Sequence, residues 1–143
     1  MKKFFLTFLL VAAVATSTAQ KEEEGIKAAL QSYIDGSSYN DPEKIAAPFY
    51  EGARMFLYKK DQPLYILSVT EYCTFFEKKK KGEFNGRTGI IRSVDRENDI
   101  ATAKVEIHIK DGDMRFIDLF LLKKLDNEWK IISKSATLMP KME

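Results

Sequence analysis

The chain has 143 residues, a formal charge of +2, one histidine and one cysteine. That length supports one buried core and is short for two. With one dense basic run, at Lys78–Lys81, the charge pattern argues against a nucleic-acid partner, which would need a wider basic face. One histidine, one cysteine and scattered carboxylates imply no metal, and no cofactor is implied.

The N-terminus predicts a cleaved secretory signal peptide over residues 1–19. Lys2 and Lys3 precede an apolar run from Phe4 to Ala15, and Ser17 and Ala19 stand where a signal peptidase reads small residues. The run is shorter than the roughly 20 residues that span a bilayer, so stable membrane insertion is not expected after cleavage. No cysteine near Ala19 offers a lipid anchor. Residues 20–143 are then one exported domain, periplasmic or extracellular, with equal numbers of acids and bases. Its lone thiol, Cys73, makes no internal disulfide and reads as buried.

Glu22, Glu23 and Glu24 suit the positive end of a helix, and Ile26, Leu30, Tyr33 and Ile34 share its apolar face before Gly36 stops it. Asp41 caps a short second helix with Pro42 at its first position and Ile45 and Phe49 on its buried side. Two short strands follow, at Ala53–Lys59 and Leu64–Leu67, turned by Asp61, Gln62 and Pro63. Ser68 and Glu71 form a capping box for a third helix, with Val69, Tyr72, Cys73 and Phe76 at helical spacing. It runs to about Lys81 and is capped by Gly82.

From Arg87 the period changes to two. Strands at Arg87–Asp95, Ile100–Lys110, Met114–Lys124 and Glu128–Ala136 form an antiparallel meander, with turns at Glu97–Asn98, Asp111–Gly112 and Asp126–Asn127. The fold class is α+β, with three helices over one face of a curved antiparallel sheet.

The stretch Tyr33-Ile34-Asp35-Gly36 through Asn40-Asp41 to Phe49, the strand Ile100 to Val105, and the ending Phe116 to Lys123 with Trp129 to Lys134 resemble the nuclear transport factor 2-like superfamily. Within it the chain is most similar to an exported lumazine-binding branch related to SnoaL-like polyketide cyclases. The resemblance spans nearly all of residues 20–143. It implies a cone-shaped barrel with a cavity at its wide end, and commonly a homodimer through the outer face of the sheet. Members bind, isomerise, dehydrate or cyclise, so the fold does not fix the function.

Hairpin geometry places side chains independently of that resemblance. The turns pair Val105 with Asp118, Ile107 with Phe116 and Leu122 with Ile131. Asp118 then shares a face with Val105, Ile107, Phe116, Phe120, Leu122, Trp129 and Ile131, while Ile117, Leu119, Leu121 and Ile132 line the other. Both faces are apolar and one helical layer covers only one, so a second subunit is expected on the outer face, unless a bulge swaps the two. His108 falls on that outer face with Lys104, Glu106 and Arg115.

A carboxylate on an apolar wall must be neutralised or paired, which makes Asp118 the leading candidate site residue. It either serves a ligand or bonds a backbone N–H or Arg92, which the Glu97–Asn98 turn puts on the same face. By resemblance to the ketosteroid isomerases, Asp118 occupies the place of their neutral acid and Tyr33 that of their oxyanion tyrosine. Their catalytic base has no counterpart, because no acid occurs between Ala53 and Lys60, around Leu57. Three functions remain open. One is a binding module for a small, partly apolar ligand, lined by Tyr33, Arg92, Phe116, Asp118, Phe120 and Trp129. Another is an isomerase, dehydratase or cyclase using Asp118 and Tyr33 as catalytic residues. The third is a scaffold whose cavity is filled by aromatic residues such as Phe49, Phe56, Phe76, Phe116 and Phe120.

Overall fold

A computed structural model describes the backbone of residues 2–141 and the side chains from Thr18 onward; the side chains of residues 1–17, most of the expected signal peptide, lie outside the described residues. The elements are α1 (Lys2–Ser38), α2 (Pro42–Ala46), β1 (Phe49–Lys59), β2 (Gln62–Ser68), α3 (Val69–Glu77), β3 (Arg87–Glu97), β4 (Ile100–Ile109), β5 (Met114–Leu125) and β6 (Glu128–Leu138). Among the described residues no helix is long and apolar enough to cross a membrane.

Six strands form one curved, unclosed sheet in the order β2-β1-β6-β5-β4-β3. The expected meander from β3 to β6 is present, with Val105 opposite Asp118, Ile107 opposite Phe116 and Leu122 opposite Ile131. The sheet is mixed rather than wholly antiparallel, however, because β1 runs parallel to β6. The two strands expected to be short are the longer pair β1 and β2, and they extend that sheet. Only α1 and α2 precede the strands; α3 connects β2 to β3.

Helix α1 buries Ile26, Ala29, Leu30, Tyr33, Ile34 and Ser37, a stripe at 3.6-residue spacing that lies against β3 and β6. Gly36 does not stop it. A Cβ there would stand 2.6 Å from the Ile45 backbone nitrogen, so glycine serves the close crossing of α1 over α2, and the chain reverses at Asn40, with φ 55°. Asp41 caps α2 through the Lys44 N–H as expected, but α2 ends before Phe49, which opens β1 and is buried there. The capping box of Ser68 and Glu71 is formed, and Val69, Tyr72, Cys73 and Phe76 are the buried side of α3. That helix stops at Glu77. The lysines follow it in a turn where Lys81 pairs with Asp41 and Glu43, and Gly82 takes a left-handed φ of 84° in the loop.

Two bulges decide which residues enter the core. In β3 the turn to β4 falls at Asn98–Asp99, one residue later than expected, and a bulge between Ile91 and Ser93 leaves Arg92 unpaired in the ladder. Its guanidinium bonds Glu106 at 3.0 Å, on an exposed surface. In β6 the register slips beside Leu121 and Leu122, so that Leu122 faces Ile131 but Leu121 faces Ser133. Ile132 is the extra residue, and beyond it Lys134 and Ala136 come to the side of the sheet already occupied by Phe120 and Asp118.

Candidate functional site

Asp118 sits midway along β5, inside the sheet's concave face, and only 1% of its surface is exposed. Lys134, two strand positions past the β6 bulge, places Nζ 2.9 Å from the Asp118 Oδ2, and each side chain is 2% exposed. Lys134 Nζ also lies 5.3 Å from the centre of the Tyr33 ring and 5.5 Å from that of Tyr72, so two aromatic faces share in holding a cation that has lost its water.

A second cation approaches from β3. Arg87 Nη2 is 3.9 Å from Asp118 Oδ2, beyond hydrogen-bond length, and donates instead to the Tyr33 hydroxyl at 3.0 Å, while Nε donates to Ser37 Oγ at 3.1 Å. The loop before β3 fixes its approach. Asn85 takes the Arg87 N–H on Oδ1 and donates Nδ2 to the Ser37 carbonyl and Asn40 Oδ1, while Asn40 donates to the carbonyls of Lys80 and Glu83.

Tyr33 is completely buried at the junction. Its hydroxyl donates to Asp118 Oδ2 over a long 3.4 Å and accepts from Arg87, which leaves the Tyr72 hydroxyl, 3.2 Å away, as a further donor to it. Burial, reinforced by Tyr72 and Asp118 and opposed by Arg87, raises the Tyr33 pKa well above the ordinary tyrosine value, so the phenol keeps its proton. Burial works against the Arg87 charge, but Tyr72, Tyr33 and Asp118 outweigh it and raise the Arg87 pKa further.

Beside this cluster lies a pocket of about 140 Å³ lined by Leu57, Tyr58, Tyr72, Arg87, Ile109, Phe116, Asp118, Lys134 and Ala136. One wall is apolar and aromatic; the other carries the two cations, the carboxylate and the Tyr72 hydroxyl. Of the residues expected to form the site, Asp118 and Phe116 line this pocket. Tyr33 and Phe120 stand behind it, their rings 5.4 Å apart, edge to face. The other two lie elsewhere. Trp129 is buried near the start of the domain, where Nε1 donates to Glu22 at 2.9 Å. Arg92 is on the opposite surface with Glu106, so the expected Arg92–Asp118 pair is replaced by pairs with Lys134 and Arg87. Tyr72, Arg87 and Lys134 were not anticipated from the sequence. The helical spacing of α3 already marked Tyr72 as inward, and Arg87 alternates with Gly89 and Ile91, whereas Lys134 had no local signal.

His108 is exposed on the outer side and contacts Asp113 at 3.1 Å. Cys73 is buried, its thiol directed at the Pro42 carbonyl 3.4 Å away, and burial, reinforced by Glu77, raises its pKa. It has the character of a packed thiol and not of a nucleophile. Among the described residues no group of three or more histidine, cysteine, aspartate or glutamate side chains could hold a metal ion.

A helical layer on a curved, unclosed mixed sheet is the architecture of the NTF2-like proteins. The fold matches an NTF2-like protein of unknown function from Shewanella baltica OS155 (TM-score 0.74, 21% identity, 85% of this chain and 96% of that one). It also matches NTF2-like proteins of unknown function from Methylobacillus flagellatus KT (TM-score 0.73, 26% identity, 84% and 94%) and Silicibacter pomeroyi DSS-3 (TM-score 0.74, 21% identity, 85% and 98%). Residues 21–135 match the family described as "Putative lumazine-binding", and the chain belongs to that family. No curated protein matches the sequence.

Proposed function

We propose that this protein is an exported small-molecule-binding domain that holds a small, partly apolar ligand in the pocket beside Asp118, Lys134 and Arg87. The observation that carries this reading is an open pocket with an aromatic wall of Tyr58 and Phe116 facing a fixed polar wall. Few, well-held polar groups set into an apolar lining give orientation and selectivity at little ordering cost. Membership of the lumazine-binding family supports a ligand of this kind. The open volume speaks against a scaffold filled by its own side chains.

An acid/base enzyme needs a group in the pocket free to take a proton from the substrate. The pocket lining contains one carboxylate, Asp118, engaged by Lys134, and the resemblance to the isomerases puts their base near Leu57, where the sequence offers no acid. Export rests on the signal-peptide pattern of residues 1–19. The assembled form is a homodimer through the outer sheet face, a reading supported by the exposure of Leu119, Leu121 and Ile90 there.

Native mass spectrometry of the protein secreted by its host, set against Ala136→Phe, which fills the pocket, tests the binding reading. The expected result is a defined small-molecule mass on the unmodified protein that the variant lacks. A bare chain in both, with no thermal shift across a panel of small aromatic compounds, overturns it.

A further inference from the structure

The pocket's charged groups do not balance. Arg87 and Lys134 bring two positive charges and Asp118 one negative, and these three are the charged residues of the lining. Lys134 is satisfied by Asp118 at 2.9 Å. Arg87 is not neutralised in the same way: its hydrogen bonds go to two neutral hydroxyls, Tyr33 and Ser37, and the carboxylate is 3.9 Å off. Its side chain is 12% exposed and reaches the lining of the pocket. A buried charge without a hydrogen-bonded counter-charge is costly, and a guanidinium has five donors in a planar fork suited to a carboxylate.

We infer that the pocket takes a small organic monoanion, a carboxylate attached to a flat apolar body, with the carboxylate at Arg87 and the body against the side formed by Tyr58 and Phe116. This rests on the binding reading above and adds the ligand's charge and size. One ligand carboxylate brings the cluster to neutrality. The Tyr58 and Phe116 rings, with centroids 6.4 Å apart, form the apolar side, together with Leu57 and Ile109. At about 140 Å³ the cavity is smaller than the roughly 300–1,000 Å³ of pockets for drug-sized ligands, which restricts the body to about one ring. A dianion or a free cation leaves a net buried charge, and a neutral ring leaves Arg87 unmatched.

The test is calorimetric titration of the whole protein with benzoate and with benzamide, its neutral counterpart. Benzoate is expected to bind at least about tenfold more tightly. Two variants separate charge from shape. Arg87→Met brings the cluster to neutrality and should abolish the preference, whereas Arg92→Met, which removes a positive charge from the outer surface, should retain it. Benzamide binding as well as benzoate overturns the monoanion assignment and leaves the binding reading standing. If neither binds and no other single-ring compound, anionic or neutral, binds either, both fall. The comparison of the two compounds on the unmodified protein decides the matter even where a variant does not fold.

Discussion

Asp118 and Lys134 form an ion pair at 2.9 Å across adjacent strands with both side chains 2% exposed. They are not directly opposite in the ladder: Asp118 faces Ala136 and Lys134 faces Phe120, so the pair is diagonal and uses the length of the lysine side chain. Breaking such a pair by removing one partner strands the other charge in the core. Lys134→Met should therefore cost roughly 3–5 kcal/mol, while the double variant Asp118→Asn with Lys134→Met should recover most of that loss. Urea unfolding of the four proteins in a double-mutant cycle measures the coupling; additive losses would contradict the pairing.

Tyr33 keeps its proton in the folded state while the unfolded chain ionises at roughly pH 10. A folded-state pKa raised above the unfolded one gives stability that is complete below the unfolded pKa and is lost as pH rises through the alkaline range above it. Thermal melts between neutral pH and strongly alkaline pH should show this loss, and Tyr33→Phe should make the alkaline side shallower. At neutral pH the same variant should cost about 1–3 kcal/mol, since it leaves the donors of Tyr72 and Arg87 without their acceptor.

Trp129 is the single tryptophan of the chain, and its indole N–H donates to Glu22, which also pairs with Lys124 at 2.6 Å. The bonds from Lys124 and then Trp129 hold the Glu22 pKa below the ordinary carboxylate range. A depressed folded-state pKa gives stability present above the unfolded value and lost as pH falls through the folded one. Intrinsic fluorescence should therefore change as pH falls below the usual carboxylate range, and Glu22→Gln should remove that step.

Leu119 and Leu121 are 52% and 40% exposed on the convex face, beside Ser133 and Ser135. For a homodimer joined there, Leu119→Glu places like charges at the interface and should yield a monomer in analytical ultracentrifugation. An unmodified protein that sediments as a monomer would overturn that assembly.

Much of this molecule is written locally. The stripe from Ile26 to Ile34, the N-cap at Asp41 and the capping box at Ser68 each rest on contacts between residues a few positions apart, and each is realised; the alternation from Arg87 onward is realised except at the two bulges. The hairpin at Asp111–Gly112 fixes the register that puts Asp118 opposite Val105 among apolar neighbours, with Gly112 and Asp113 in the left-handed region at φ 80° and 47°. Asp118 as a buried acid was therefore legible from the sequence, and the resemblance to the isomerases set Tyr33 with it. Their partners were not. Strict alternation from Ile131 sends Lys134 outward, and only the bulge at Ile132, where β6 must also pair in parallel with β1, turns it inward. The bulge in β3 likewise releases Arg92 and leaves Arg87 to reach the cluster. A bulge reflects the curvature demanded by strands distant in sequence, and no local pattern of residue types encodes it. The sequence by itself determined the elements, their hairpins and the acid; the tertiary structure decided which two cations surround it, and with them the charge of the pocket.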